Sequence, residues 1–279
     1  MYGAVSQIFY PATLQEFFNA LNRTAGADIF AGSARQTPDR GALTLAVPGI
    51  IVSADNIAEL RGIYRTERFI DMGPMVKLHQ ILRLGKIVPE ALRQTLDILY
   101  TALQRGILSI GGEICREQPF EPFAAALTAL GVRCELRTNT QSRWINALRL
   151  TGPGKAGVFF PEEILYRIRI PLEQWNFTLC RRFDPGSEAA ARNESAMVVF
   201  LARIQNDILS DVRIVFSGAS VIRNNNRETA LIGQKLPLPK KDAAAFASLW
   251  GSCLEEACPP FLQARVVAFI ENVMRRFSD

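Results

Sequence analysis

Apolar positions recur along the chain with two periods. Leu14, Phe17, Phe18 and Leu21 share one helical face, and Thr13 followed by Glu16 has the form of a capping box, so a helix is predicted to open at Leu14. The polar run Asn22 to Gly26 ends it. Asp28 to Ser33 reads as a short strand running into a small-residue turn. Short strands are predicted at Leu43–Val47, Ile50–Val52 and Arg68–Met72, with a single helical turn at Asp55–Leu60. Helices are predicted at Lys77–Leu84, at Pro89–Leu103 and at Phe120–Leu130, the last stopped by Gly131. Val132 to Arg137 alternates as a half-buried strand does, and Arg143–Leu150 is read as another.

The stretch Thr151-Gly152-Pro153-Gly154-Lys155-Ala156-Gly157 is the clearest internal break. Beyond it, strands are predicted at Ile164–Ile170, Trp175–Phe183, Ala196–Ile204 and Asp211–Phe216. Asn224 to Asn226 reads as a polar hairpin loop. Two helices, Asp242–Glu256 and Pro260–Phe277, close the chain. The expected class is α+β, with a mixed domain over residues 1–160 and an antiparallel sheet backed by two C-terminal helices over 161–279.

Composition narrows the chemistry. Of 279 residues, 48% are hydrophobic and 21% charged, the balance of a globular protein. There is one histidine, His79, so no multi-histidine metal site and no HExxH motif can be written. Cys115, Cys134, Cys180, Cys253 and Cys258 form no CxxC, which argues against a zinc ribbon, a cluster ligand set or a disulfide framework. Reduced, mostly buried thiols are expected. Six of the 32 basic residues are lysine, leaving 26 arginines and a net charge of +5. The basic residues are spread out, with doublets at Arg181-Arg182, Lys240-Lys241 and Arg275-Arg276. No basic run has interleaved aromatics, so nucleic acid is not an expected partner. No signal peptide is read at the start, and no apolar run approaches the ~20 residues a membrane span needs. A cytoplasmic protein with no membrane partner is expected.

Two glycine-bearing turns carry the candidate chemistry. The first is Ala31-Gly32-Ser33-Ala34-Arg35, after a strand; the second is Ser109-Ile110-Gly111-Gly112-Glu113. Small residues let backbone amides approach an anion, and consecutive amides form a nest for phosphate. Neither turn fits GxGxxG or GxxxxGK[ST]. His79, Glu16, the pairs Glu162-Glu163 and Glu255-Glu256, and Trp144, Trp175 and Trp250 are read as structural.

In order and spacing, these segments resemble the flavoprotein subunit of the molybdenum hydroxylases, the FAD-binding medium chain of xanthine dehydrogenase, carbon monoxide dehydrogenase and aldehyde oxidoreductase relatives. The resemblance lies in Phe9 to Glu16, Phe30 to Arg35, Ile57 to Ile63, and Phe69 to Ile81 with Gly73, Pro74, Val76 and Leu78. It continues in Ser109 to Ile114, Glu163 to Pro171 and Asp211 to Gly218, and in the spacing of Arg223, Glu228, Leu231 and Gly233. It implies a two-part FAD-binding domain and an electron-transfer role. It also implies partners: a large subunit with the molybdenum cofactor, a small subunit with 2Fe-2S clusters, and NAD or another acceptor. The two glycine turns would cradle the FAD pyrophosphate through backbone amides, and no metal or catalytic side chain is expected here. The sequence departs from the family's pattern at Ser33, Ala34, Arg35, Lys77, Glu113 and Pro122. Arg35 and Lys77 add charge complementary to a diphosphate, whereas Glu113 sets a carboxylate beside it. These departures motivate a second reading, a scaffold or assembly subunit of the same complex that has lost its cofactor.

Overall fold

A computed structural model of the chain describes residues 7–24, 26–30, 49–115, 122–151, 158–160, 162–184, 195–218, 220–255 and 258–277. The expectations placed on Leu43–Val47, on the turn Ala31–Arg35 and on residues 152–157 lie outside these. The chain divides into two compact units, each drawn from separate stretches. The first takes residues 1–88, 100–117 and 130–172; the second takes 89–99, 118–129 and 173–279. A single cut at residue 160 is therefore not how these units divide the chain.

In the first unit, strands β1 (Gln7–Phe9), β2 (Asp28–Phe30) and β3 (Ile50–Ser53) form a parallel sheet in the order β1-β3-β2. Helix α1 (Leu14–Arg23) starts as predicted: Thr13 Oγ1 accepts from the Glu16 amide, and Glu16 Oε2 accepts from the Ala12 amide. Its Phe17 and Phe18 join Val52, Ile57, Leu60, Met75 and Ile164 in one core.

Five antiparallel strands follow: β4 (Ile63–Arg65), β5 (Phe69–Met72), β6 (Arg133–Arg137), β7 (Ser142–Asn146) and β8 (Ile164–Pro171). Their order is β4-β5-β8-β6-β7. Strand β8 lies between β5 and β6, so the alternating segment Ile164–Ile170 completes this sheet and not the C-terminal one. The period of two identifies a strand but does not choose its neighbours. Residues Ile70, Met72, Cys134, Leu136, Ile168 and Ile170 are buried on one face.

The opposite face explains the preference for arginine. Arg169 donates two bonds of 2.8 Å to Asp71 and stacks on Phe69 at 3.9 Å and Trp144 at 4.4 Å. Arg167 reaches both Asp71 and Glu135. At the edge, Arg143 grips Glu163 with two bonds of 2.7 Å. A planar fork that pairs and stacks at once is a property lysine lacks.

In the second unit, strands β9 (Phe177–Phe183), β10 (Ala196–Gln205), β11 (Ile208–Ser217) and β12 (Val221–Arg223) form an antiparallel sheet in the order β12-β11-β10-β9. Its core faces α9 (Lys240–Ser252) and α10 (Pro260–Arg275) through Phe200, Phe216, Trp250, Val266 and Ile270. The predicted sheet and its two backing helices are present. Helices α3 (Glu90–Leu99) and α6 (Pro122–Ala129) also belong to this unit.

Three predicted elements differ, each because a side chain restarts the backbone. The expected helix Pro89–Leu103 is two helices, α3 and α4 (Ala102–Ile107). Thr101 and Gln104 form a reciprocal capping box between them, and Leu103 is 74% exposed. The expected strand Arg143–Leu150 gives way after β7 to a short helix, α7 (Leu148–Thr151), whose Leu148 amide donates to Asn146 Oδ1. The expected hairpin at Asn224 is a helix start: Asn224 caps α8 (Asn225–Leu231) by accepting from the Arg227 amide.

Candidate functional site

The second glycine turn opens a short helix, α5 (Ile110–Ile114), which follows α2 (Leu78–Arg83) and α4 in the first unit. Three of the motif segments meet around it through backbone bonds. The Gly73 and Met75 amides donate to the carbonyls of Gly62 and Leu60, at 2.8 and 2.9 Å. Gly111 donates to the Pro74 carbonyl and Ile110 to that of Val76, both at 2.9 Å, and Leu78 donates to Leu108 at 3.1 Å. Val76, Leu78, Ser109, Ile110 and Ile114 are fully buried.

The glycines are required by this packing. A Cβ on Gly111 would overlap Pro74, its carbonyl oxygen lying 2.7 Å away. A Cβ on Gly73 would overlap the Leu60 carbonyl. Close backbone approach is thus spent within the protein.

The amides of the turn were expected to form a nest, and the four from Ile110 to Glu113 donate internally. Ile110 and Gly111 serve Val76 and Pro74, and Glu113 serves the Ser109 carbonyl at 3.1 Å. The Gly112 amide donates to Ser109 Oγ at 3.2 Å. It alone among the four has a side-chain hydroxyl as acceptor, which a rotation about one bond withdraws. Glu113 is 2% exposed, and its Oε2 accepts from the Tyr100 hydroxyl at 2.7 Å. As described, the turn offers a diphosphate no open nest, Ser109 being fully buried, and the Gly112–Ser109 bond is the one a ligand would have to replace. The carboxylate of Glu113 is held by Tyr100, a partner that the sequence spacing did not signal.

Lys77 pairs with Ser109 across an isolated antiparallel bridge. Its Nζ donates to the Ile107 carbonyl at 2.6 Å. Burial lowers its pKa, Asp55 opposes that shift, and Arg61 adds to it. His79 places Nδ1 3.3 Å from the Arg105 carbonyl, a tie between α2 and α4.

The first turn, Ala31–Arg35, lies outside the described residues. Strand β2 leads into it at the carboxyl end of a parallel sheet, the edge at which open α/β sheets bind ligands. Pro122 is the first residue of α6.

Glu228, singled out by its spacing from Arg223, ties two elements together. Glu228 is 2% exposed; it accepts from the Ile214 amide at 2.8 Å and pairs with Arg223 at 2.9 Å, pinning α8 to β11. Cys134 and Cys180 are buried and the other three cysteines half-buried. Burial pushes the Cys180 thiol up to about 12, the state of an inert thiol. Among the described residues, no group of three or more His, Cys, Asp or Glu is placed to hold a metal. None of the described helices is long and apolar enough to cross a membrane.

The model of the family described as "FAD binding domain in molybdopterin dehydrogenase" matches residues 4–173, and the chain belongs to that family. By that match, residues 4–173 are an FAD-binding domain of the molybdopterin dehydrogenase type. A xanthine dehydrogenase of Oryza sativa subsp. japonica is 26% identical over 207 residues, 67% of this chain and 15% of that protein. Aldehyde oxidase 1 of Bos taurus is 26% identical over 281 residues, 93% of this chain and 21% of that protein. The chain thus spans only a small share of the length of these relatives. Among solved structures, quinoline 2-oxidoreductase from Pseudomonas putida 86 has a TM-score of 0.78 at 18% identity, covering 99% of this chain and 98% of that one. Carbon monoxide dehydrogenase from Hydrogenophaga pseudoflava has a TM-score of 0.76 at 18% identity, covering 99% and 97%. These two likenesses show the fold.

Proposed function

We propose that the chain is the electron-transfer flavoprotein of a xanthine dehydrogenase-like molybdenum hydroxylase. Its partners would be a large subunit carrying the molybdenum cofactor and a small subunit carrying 2Fe-2S clusters, with NAD or another acceptor taking the electrons. When bound, FAD supplies the redox chemistry, accepting electrons singly or in pairs. The observation that carries the reading is the match over residues 4–173, which spans both glycine turns. Cytoplasmic placement and the absence of membrane and nucleic-acid partners belong to the same proposal.

The two turns divide the work of holding the cofactor. In the second turn the Gly112 amide and the Ser109 hydroxyl, now bonded to each other, would be the donors that hold the FAD diphosphate. Ile110, Gly111 and Glu113 keep their internal bonds and act as a fixed wall. Ala31, Gly32, Ser33, Ala34 and Arg35 supply the remaining amides, with the Arg35 guanidinium as counter-charge.

Glu113 favours a second reading. Its buried carboxylate stands in a turn meant for an anion, as a subunit kept for assembly after losing its cofactor would tolerate. FAD titration of the wild type and of Glu113→Asn separates the two. Stoichiometric binding by the wild type supports the flavoprotein. Binding only by the variant supports the scaffold.

A further inference from the structure

Two basic doublets from the sequence, Arg181-Arg182 and Arg275-Arg276, each send one member to the same groove in the second unit. The groove lies between β9 and α10, encloses about 630 Å³, and has Arg181, Arg265, Arg276, Phe183, Phe269 and Asn272 in its lining. Arg265, Phe269, Asn272 and Arg276 follow at helical spacing, so one face of α10 and the residue that ends it present them. At 1.5 Å per residue the two arginines of that face are about 16 Å apart along the axis.

Two of the three cations of this groove, Arg181 and Arg265, are held in place. Arg181 lies over both Phe183 and Phe269, at 5.7 Å from each ring, and Arg265 lies over Phe183 at 5.7 Å. The two rings meet edge to face at 5.6 Å and are buried. Arg265 also donates from Nη1 to the Asp184 carbonyl at 2.7 Å. Two guanidiniums on one ring repel each other, and no carboxylate is among the described lining residues. The nearby carboxylate of Asp184 serves Arg182 at 2.7 Å, and that of Glu271 serves Arg275 at 2.7 Å.

We propose that this groove binds a diphosphate group, either of free pyrophosphate or of a nucleoside diphosphate. Planar guanidinium forks fixed on aromatic faces match phosphate oxygens two at a time. Among the described residues these three cations have no carboxylate partner, which calls for a ligand of more than one charge, and the Asn272 amide adds a neutral donor. The groove is built wholly from residues of the second unit, and its binding does not depend on FAD.

The test is calorimetric titration of the purified protein with pyrophosphate, ADP and succinate, each with and without saturating FAD. Pyrophosphate or ADP should bind in both conditions. Affinity should fall at least tenfold in R181A/R265A and severalfold in R276A, whose exposed side chain makes it safe for folding. ADP tighter than pyrophosphate by tenfold identifies a nucleotide ligand; equal affinities identify the free diphosphate. The proposal fails if neither probe binds, if FAD abolishes binding, if R276A binds as the wild type does, or if succinate binds as tightly as pyrophosphate.

Discussion

Gly111 has no room for one more carbon: its missing Cβ would sit against the Pro74 carbonyl oxygen at 2.7 Å. Gly111→Ala is therefore expected to lose at least the about 1–3 kcal/mol typical of overpacking, read from denaturant midpoints. FAD affinity should fall with it, because the wall of the site must shift. Ser109→Ala acts differently. It removes the cap on Gly112, which costs about 1 kcal/mol, and one donor to the diphosphate. Its loss of FAD affinity should exceed its loss of stability, whereas Gly111→Ala should show the reverse. The pair Arg143–Glu163 carries a pH signature. The Arg143 bonds hold the Glu163 carboxyl below its usual range, against the opposing effect of burial. A carboxylate with a lowered folded pKa stabilises above its unfolded value of about 4.3 and loses that contribution as pH falls through the folded one. Thermal midpoints of the wild type should thus drop more between neutral and acidic pH than those of Glu163→Gln.

At the scale of elements, polar caps decide what hydrophobic period alone does not. Thr101, Asn146 and Asn224 each begin a helix where the apolar pattern predicted continuation or a loop. Most strands were legible from alternation, including β8, β10 and β11. Their pairing was not, because β8 reaches across the chain to Asp71 and Glu135. The candidate site was legible in the same partial way. The double glycine marked the turn, but its contact with Pro74 and the tie from Tyr100 to Glu113 join residues that no short motif contains. The spacing from Arg223 to Glu228 was visible in the sequence, and its reason is the bond from the Ile214 amide. Glu228→Ala strands that buried donor, so unfolding should become easier by about 1–3 kcal/mol. Hydrogen exchange at the Ile214 amide should rise in step.

For the whole molecule, the redox role proposed here rests on a bound cofactor, with one histidine and no CxxC in the chain. Arginine is used throughout as a planar contact, from the Asp71–Arg169–Trp144 stack in one unit to the Trp175 ring flanked by Arg203 and Arg213 in the other. The central claim is that this chain holds FAD. It is tested most directly by the visible absorption spectrum of the purified protein, recorded before and after incubation with excess FAD and removal of the unbound fraction. Flavin bands at one FAD per chain are the predicted result. A protein that is folded by circular dichroism and shows no flavin bands after that incubation would contradict it.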